Sequence, residues 1–185
     1  SHAHIDHSGN LPTLAKLGFR GAIHATSATA DLCRVMLPDS AHIQQKDAEF
    51  VNKHPGRHGG KPRQPLYTPR DVDAALELFR EHPYGRPVPV CEGVTVTFRD
   101  AGHILGSAFL EIDMEEKGSR RKLVFSGDLG RHHLPILRDP EPRPECDILV
   151  IESTYGGRLH PSPETLPGEL AEIVRRVSSR GGKIL

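Results

Sequence analysis

The first seven residues, Ser-His-Ala-His-Ile-Asp-His, gather His2, His4, Asp6 and His7 into one short stretch. Two imidazoles separated by a single residue can face one metal ion, while the adjoining carboxylate and a third imidazole turn toward a second. One segment can therefore seed two metal sites. Zinc suits this nitrogen-rich set best, and manganese or iron is tolerated where carboxylates contribute.

Three later stretches carry the same kind of chemistry. In Asp-Ala-Gly-His-Ile-Leu-Gly-Ser-Ala, residues 100–108, His103 follows a segment of period two and lies between glycines. Small neighbours let the backbone come close to an ion, where a neutral imidazole would be a third nitrogen ligand for the first metal. In Phe-Ser-Gly-Asp-Leu-Gly, residues 125–130, an apolar run ends at a carboxylate between glycines. The two oxygens of Asp128 can bridge two cations at the roughly 3.5–4 Å separation that two-metal catalysis uses. In Ile-Glu-Ser-Thr-Tyr-Gly, residues 151–156, Glu152 again follows an apolar run directly. It can orient or protonate a group at the site, or it can belong to a turn capped through Ser153 and Thr154.

The elements that must position these groups follow from periodicity. Leu11 to Leu17 predicts a short helix ended by the Gly18–Gly21 segment, and Gly21 to His24 a brief buried strand. Thr26 or Thr29 caps a helix carrying Leu32, Val35, Met36, Ile43 and Phe50, kinked or divided at Pro38. Residues 53–66 combine Gly, Pro and basic side chains and read as a loop. Thr68 and Pro69 open a helix with Val72, Ala75, Leu76 and Phe79 at helical spacing. From Cys91 the period changes to two, with Val94, Val96 and Phe98 alternating with Thr95, Thr97 and Arg99. Ala108 to Met114 and Lys122 to Phe125 extend the sheet across a polar Glu115–Arg121 turn, and the Ile148–Ile151 run predicts a strand covered on both faces. Thr165 to Ser179 is an amphipathic helix closed by Gly181. Strands and helices interleave, and the polar groups recur where apolar strands stop, as in an α/β layered fold with its site at strand ends.

Composition bounds the partners. The chain has 185 residues, a length that fits one domain, with 36% hydrophobic and 26% charged residues and no apolar run of membrane-spanning length. Twenty-four basic residues balance 24 acidic ones, so global charge gives no evidence for a polyanionic partner. Cys33, Cys91 and Cys146 are widely spaced, which fits a reduced cytoplasmic protein whose cysteines are buried as small hydrophobes. The first residue already lies inside a motif, with no initiator Met or targeting signal before it, and Gly181–Leu185 reads as a helix stop followed by a strand that only opens. The expectation is an excerpt of a longer protein.

Taken in order, the His2–His7 cluster, His103, Asp128 and the Glu152-Ser-Thr-Tyr-Gly156 stretch resemble the metallo-β-lactamase fold, and the last of them resembles the acidic motif opening its β-CASP branch of RNA- and DNA-processing nucleases. The resemblance covers nearly the whole chain. It implies a four-layer αββα sandwich, with residues 1–185 a fragment of that domain that lacks the opening strands and the β-CASP cap. It implies a first zinc held by His2, His4 and His103, a second held by Asp6 and His7, and Asp128 bridging the two; a distal His would complete the second site from outside this window. The implied activity is hydrolysis of RNA phosphodiesters, or of single-stranded DNA, by endo- or exonucleolytic cleavage. Asp6 would orient the attacking water, and Glu152 would position a cap imidazole that protonates the leaving oxygen.

Two rival readings use the same residues. A small-molecule hydrolase acting on a thioester or lactam would need no large cap, and a silent RNA-binding paralogue would have lost ligands that are all present here. Arg57, Lys61 and Arg63 are candidate phosphate contacts in the basic loop, with a solvated surface as the plainer reading. His132 and His133 read as surface residues, and His24 as a hydrogen-bonded core residue. No membrane association is expected, and a homodimer would have to form through parts outside this chain.

Overall fold

A computed structural model describes residues 1–54, 61–159 and 164–184. They fall into two compact units, Ser1–Glu152 and Ser153–Leu185. In the first unit the order is α1 (Ile5–Ser8), α2 (Leu11–Lys16), β1 (Ile23–Thr26), α3 (Ser27–Lys53), α4 (Pro69–Leu76), β2 (Phe79–His82), β3 (Pro87–Cys91), β4 (Val94–Asp100), β5 (Ala108–Glu116), β6 (Ser119–Phe125) and β7 (Ile148–Val150). The second unit contains α5 (Leu166–Ser178). The fold is mixed α/β with two sheets.

Strands β1 and β2 pair in parallel, Ile23 opposite Phe79, across the α3–α4 crossover. Strands β3 to β6 form an antiparallel meander, and β7 adds in parallel to β6 with Leu123 opposite Ile148. The β5–β6 turn is tighter than the sequence predicts. Glu116 pairs with Ser119, and only Lys117 and Gly118 lie between them, both at positive φ, the backbone a two-residue hairpin requires. Inside the sheet, buried Glu111 of β5 accepts from the Arg99 guanidinium at 2.9 and 3.0 Å and from the Lys122 ammonium, which neutralises a carboxylate that water cannot reach.

Helix α3 runs unbroken for 27 residues through Pro38. The Thr26 hydroxyl caps it by accepting from the Thr29 amide, and both Pro38 and Arg34 are exposed, so water can reach the carbonyl that proline leaves unbonded. Its buried face also differs from the predicted stripe. Ala30, Cys33, Leu37 and Ala41 enter the main core with Ala3, Tyr67, Val72 and Phe79, whereas Val35, Ile43 and Phe50 are 70%, 50% and 58% exposed. Small side chains on that face let α3 sit close on β1, β2 and α4. The Tyr67 hydroxyl, buried in this core, bonds Ser40 at 2.8 Å.

Helix α4 begins as predicted: the Asp71 carboxylate accepts from both the amide and the hydroxyl of Thr68 at 2.8 Å. It stops at Leu76, and Phe79 starts β2 instead of adding a further turn of helix. Strand β7 departs most from expectation. It is an edge strand, and Ile148, Leu149, Val150 and Ile151 are 46%, 43%, 44% and 56% exposed rather than covered on both faces. Only Cys33 of the three cysteines is buried; Cys91, in edge strand β3, is exposed and Cys146 is half-buried.

In the second unit, Gly181 closes α5 at a φ of 62°, and residues 182–184 form no strand. No helix among the described residues is long and apolar enough to cross a membrane. Arg57 of the predicted phosphate-binding trio lies outside the described residues. Lys61 and Arg63 are exposed, and Asn52 near the end of α3 grips the Arg63 backbone through both of its amide atoms. At 1.5 Å per residue this is about 35 Å along the helix from Thr29.

Candidate metal centre

The amino-terminal segment reaches the sheet by main-chain pairing: the Ala108 amide, at the start of β5, donates to the Ser1 carbonyl at 2.8 Å. Alternation then sends Ala3 fully into the core, between His2 and His4. A single turn of helix follows, in which the His4 carbonyl accepts from the amides of His7 and Ser8 and from the Ser8 hydroxyl. That turn folds His7 back over His2, with ring centroids 4.2 Å apart. The helical turn carries Asp6 and His7, which periodicity in so short a stretch does not predict.

His103 arrives from the loop after β4, in which hydroxyls supplement the loop's own backbone bonds. The Ser107 hydroxyl accepts from the amides of His103 and Ile104 at 3.0 and 3.2 Å, and the Ser107 carbonyl accepts from the Tyr84 phenol at 2.9 Å. Burial, and after it the charge of Asp100, pushes the Tyr84 phenol up to about 12, so it stays a donor at neutral pH. The Gly106 carbonyl accepts from Thr26 and Thr29 at 2.6 and 2.8 Å, which ties the loop to the start of α3. Gly106 has a φ of 83°, and a Cβ there would lie 2.5 Å from the Thr29 nitrogen, so the loop fits only with glycine.

Asp128 follows β6. Its loop is fixed by Glu152, whose carboxylate accepts from the Leu129 amide at 2.7 Å, and by Ser126, whose hydroxyl accepts from the Glu152 amide at 3.0 Å. The Asp128 and His103 loops touch through backbone: the Gly130 amide donates to the Ala101 carbonyl at 2.8 Å, and a Cβ on Gly130 would overlap the Gly102 carbonyl.

The ligand-type atoms then converge. His4 Nδ1 lies 3.0 Å from His2 Nε2 and 3.1 Å from His103 Nε2, and Asp128 Oδ2 is 3.6 Å from both of those Nε2 atoms. One atom from each of the four residues falls within 4.8 Å of all the others. Around a tetrahedral zinc with bonds of 2.0–2.1 Å, ligand atoms sit about 3.3 Å apart, so the spacing fits one ion. A neutral Nδ1 offers either one proton or one lone pair, yet His4 faces two nitrogens with it, an arrangement suited to a shared cation. Burial, followed by repulsion from His7, pushes His2 down to about 4; burial, followed by His4, lowers His103. Both are therefore neutral at pH 7, the form that binds metal.

The other face of Asp128 looks toward the second half of the cluster: Oδ1 lies 3.3 Å from His7 Nε2, which is 3.6 Å from Asp6 Oδ2. The structure thus brings together five of the predicted groups around the carboxylate of Asp128 and puts Glu152 behind its loop. His132 and His133 are surface residues paired with Asp139. His24 is half-buried and bonds His82 at 2.9 Å. The sequence reading missed Ser107, Thr26 and Thr29 as loop supports. Ser107, four residues after His103, carries a local hydroxyl-turn signal; Tyr84 carries none.

No family model matches the chain. Compared with curated proteins, it is 36% identical over 186 residues to Ribonuclease TTHA0252 of Thermus thermophilus, 31% over 189 residues to Transcription termination factor FttA of Pyrococcus abyssi, and 31% over 189 residues to Cleavage and polyadenylation specificity factor 73 of Drosophila melanogaster. Each match takes in 100% of this chain, but only 38%, 27% and 25% of the respective relative. Those alignments, which span this chain but only part of each relative, together with the motif order establish that the chain belongs to the β-CASP branch of the metallo-β-lactamase fold.

Proposed function

We propose that the protein carrying this chain is a cytoplasmic, metal-dependent ribonuclease that hydrolyses RNA phosphodiesters at a dinuclear zinc centre, and that residues 1–185 are part of its αββα metallo-β-lactamase-type domain. One observation carries the reading: three imidazole nitrogens and a two-faced carboxylate, from segments about a hundred residues apart, meet within ligand spacing. The relative named as a ribonuclease supports RNA as the substrate.

His2, His4, His103 and Asp128 would hold the first ion, and Asp6, His7 and Asp128 the second. When bound, the ions supply positive charge at the scissile phosphate and lower the pKa of a water from about 15.7 to roughly 7. Asp6, exposed at the mouth of the site, accepts a hydrogen bond from the attacking water and fixes its direction. Glu152 holds the Asp128 loop through the Leu129 amide and would orient an imidazole of the β-CASP cap, outside this chain, that delivers a proton to the leaving oxygen. Manganese or iron is the alternative filling where carboxylates contribute.

The test is metal analysis of the full-length protein, paired with cleavage of a 5′-labelled RNA by wild type and Asp128→Ala. Loss of a partner to a metal ligand commonly costs 10–100-fold, so loss of the shared ligand itself should cost more than about 100-fold in cleavage and lower the metal content. Equal cleavage by the two proteins would end this reading.

A further inference from the structure

A cavity of about 350 Å³ is lined by Ile104, Leu105 and Gly106, the residues directly after His103 in the chain. Ile136, Leu137 and Arg138, from the loop that follows Asp128, line it too, as does Asp100. His82 and Tyr84 line it as well. The volume lies at the low end of small-molecule sites, which leaves room for one nucleoside-sized group.

The walls have features that the fold does not otherwise use. Leu105 is 57% exposed and Ile136 is 92% exposed. Ile136 also holds a φ of 75°, a conformation that a β-branched residue adopts only under constraint and that is concentrated at ligand-contacting sites. Among the described residues the Arg138 guanidinium makes no ion pair or side-chain hydrogen bond. Carboxylates neutralise cations on the far side of the sheet, where Arg120 meets Glu115, Arg121 meets Asp147, and Lys122 meets Glu111 and Asp113. Arg138 thus stands without an ion pair among the described residues, in a slot whose polar lining includes Asp100 and Tyr84 and whose apolar lining includes Ile104, Leu105, Ile136 and Leu137.

We propose that this cavity receives the unpaired base of a nucleotide flanking the scissile bond, with Leu105, Ile136 and Leu137 against the base and Arg138 on an adjoining phosphate. The inference rests on the ribonuclease reading and adds the subsite that orients its substrate. A paired base is stacked within its helix and cannot enter such a slot, so the site selects single-stranded substrate. The guanidinium fork suits a phosphate, and the contact contributes to positioning rather than to sequence choice.

The experiment uses the full-length protein carrying this chain, with its metal, on a 5′-labelled single-stranded RNA cut at one defined bond. Ile136→Gly removes the side chain and relaxes the backbone, and Arg138→Ala removes the cation; neither residue touches the metal ligands. Each variant should raise KM about ten-fold, the typical scale of one base contact, leave kcat within about two-fold, and keep the wild-type metal content. Scanning the RNA with single abasic nucleotides should reveal one position beside the cut where wild type loses about ten-fold in kcat/KM and Ile136→Gly loses little more. If wild type cleaves and the variants keep its KM, or if abasic and protein losses multiply independently at every position, the cavity assignment is wrong while the nuclease reading survives. Wild type that neither binds nor cuts RNA would overturn both.

Discussion

Gly106→Ala tests whether the site depends on the docking of the His103 loop onto α3, because the substitution removes no ligand. At a φ of 83° an alanine costs about 1–2 kcal/mol from backbone strain alone. Its Cβ would start 2.5 Å from the Thr29 nitrogen and 2.8 Å from the Thr29 hydroxyl, and backbone cannot yield as a flexible side chain does. Relief requires the loop to withdraw by about 1 Å, which stretches the 2.6 and 2.8 Å bonds from Thr26 and Thr29 beyond useful range, each bond contributing about 1 kcal/mol. The two bonds that hold the loop in its ligand position, about 2 kcal/mol together, are then missing, and a zinc ion that engages His103 must order the loop without them, so zinc affinity should fall by roughly 30-fold, at 1.4 kcal/mol per factor of ten. A competition titration against a chromophoric chelator at neutral pH measures this on the full-length protein. Gly118→Ala is the control: its φ is 77°, but no atom lies within 4 Å of the added methyl and it sits in the β5–β6 turn, so strain appears without loss of zinc. Wild-type affinity in Gly106→Ala, or an equal loss in Gly118→Ala, would refute the reasoning.

Two further predictions concern stability. Leu37→Ala, which empties a fully buried position on α3, should cost about 2–5 kcal/mol and lower Tm by several degrees, whereas Val35→Ala, a position 70% exposed, should change Tm by less than about 2 °C; a reversed order in thermal denaturation would mean that the helix buries its other face. Glu111→Gln should cost about 2 kcal/mol near pH 7, because charge-assisted bonds from Arg99 and Lys122 become neutral-acceptor ones while those cations keep access to water. Burial alone would raise the pKa of Glu111, but the Lys122 and Arg99 bonds outweigh it and lower it overall. The stabilisation is thus present above the ordinary carboxylate value of 4.5 and is lost as pH falls through the lowered folded value, so the gap between Gln variant and wild type should close in acid. The Lys122 value is raised, chiefly by its bond to Glu111, so its share persists below 10.5 and disappears as pH rises past the folded value. A gap that stays constant from pH 7 into acid would show that charge is not what Glu111 contributes.

Local geometry made part of this protein legible in its sequence. The Thr68–Pro69 start of α4, the period-two strands β4 to β6 and the carboxylates directly after β6 and β7 all follow from side-chain spacing and turn chemistry, which act over a few residues. The types and order of the metal-seeking residues were also visible, since imidazole and carboxylate chemistry belongs to the residue and not to the fold. Packing decided the rest. Periodicity found that α3 is a helix but could not choose its buried face, because Ala30, Cys33 and Ala41 were selected over larger Val35, Ile43 and Phe50 by how closely the neighbouring strands approach. Apolar content made β7 a strand but could not tell that it pairs in parallel with β6. Nor could spacing along the chain bring His103 within 3.1 Å of His4: that distance depends on the Gly106 carbonyl meeting the hydroxyls of Thr26 and Thr29, a contact between segments nearly eighty residues apart that exists only once both are folded.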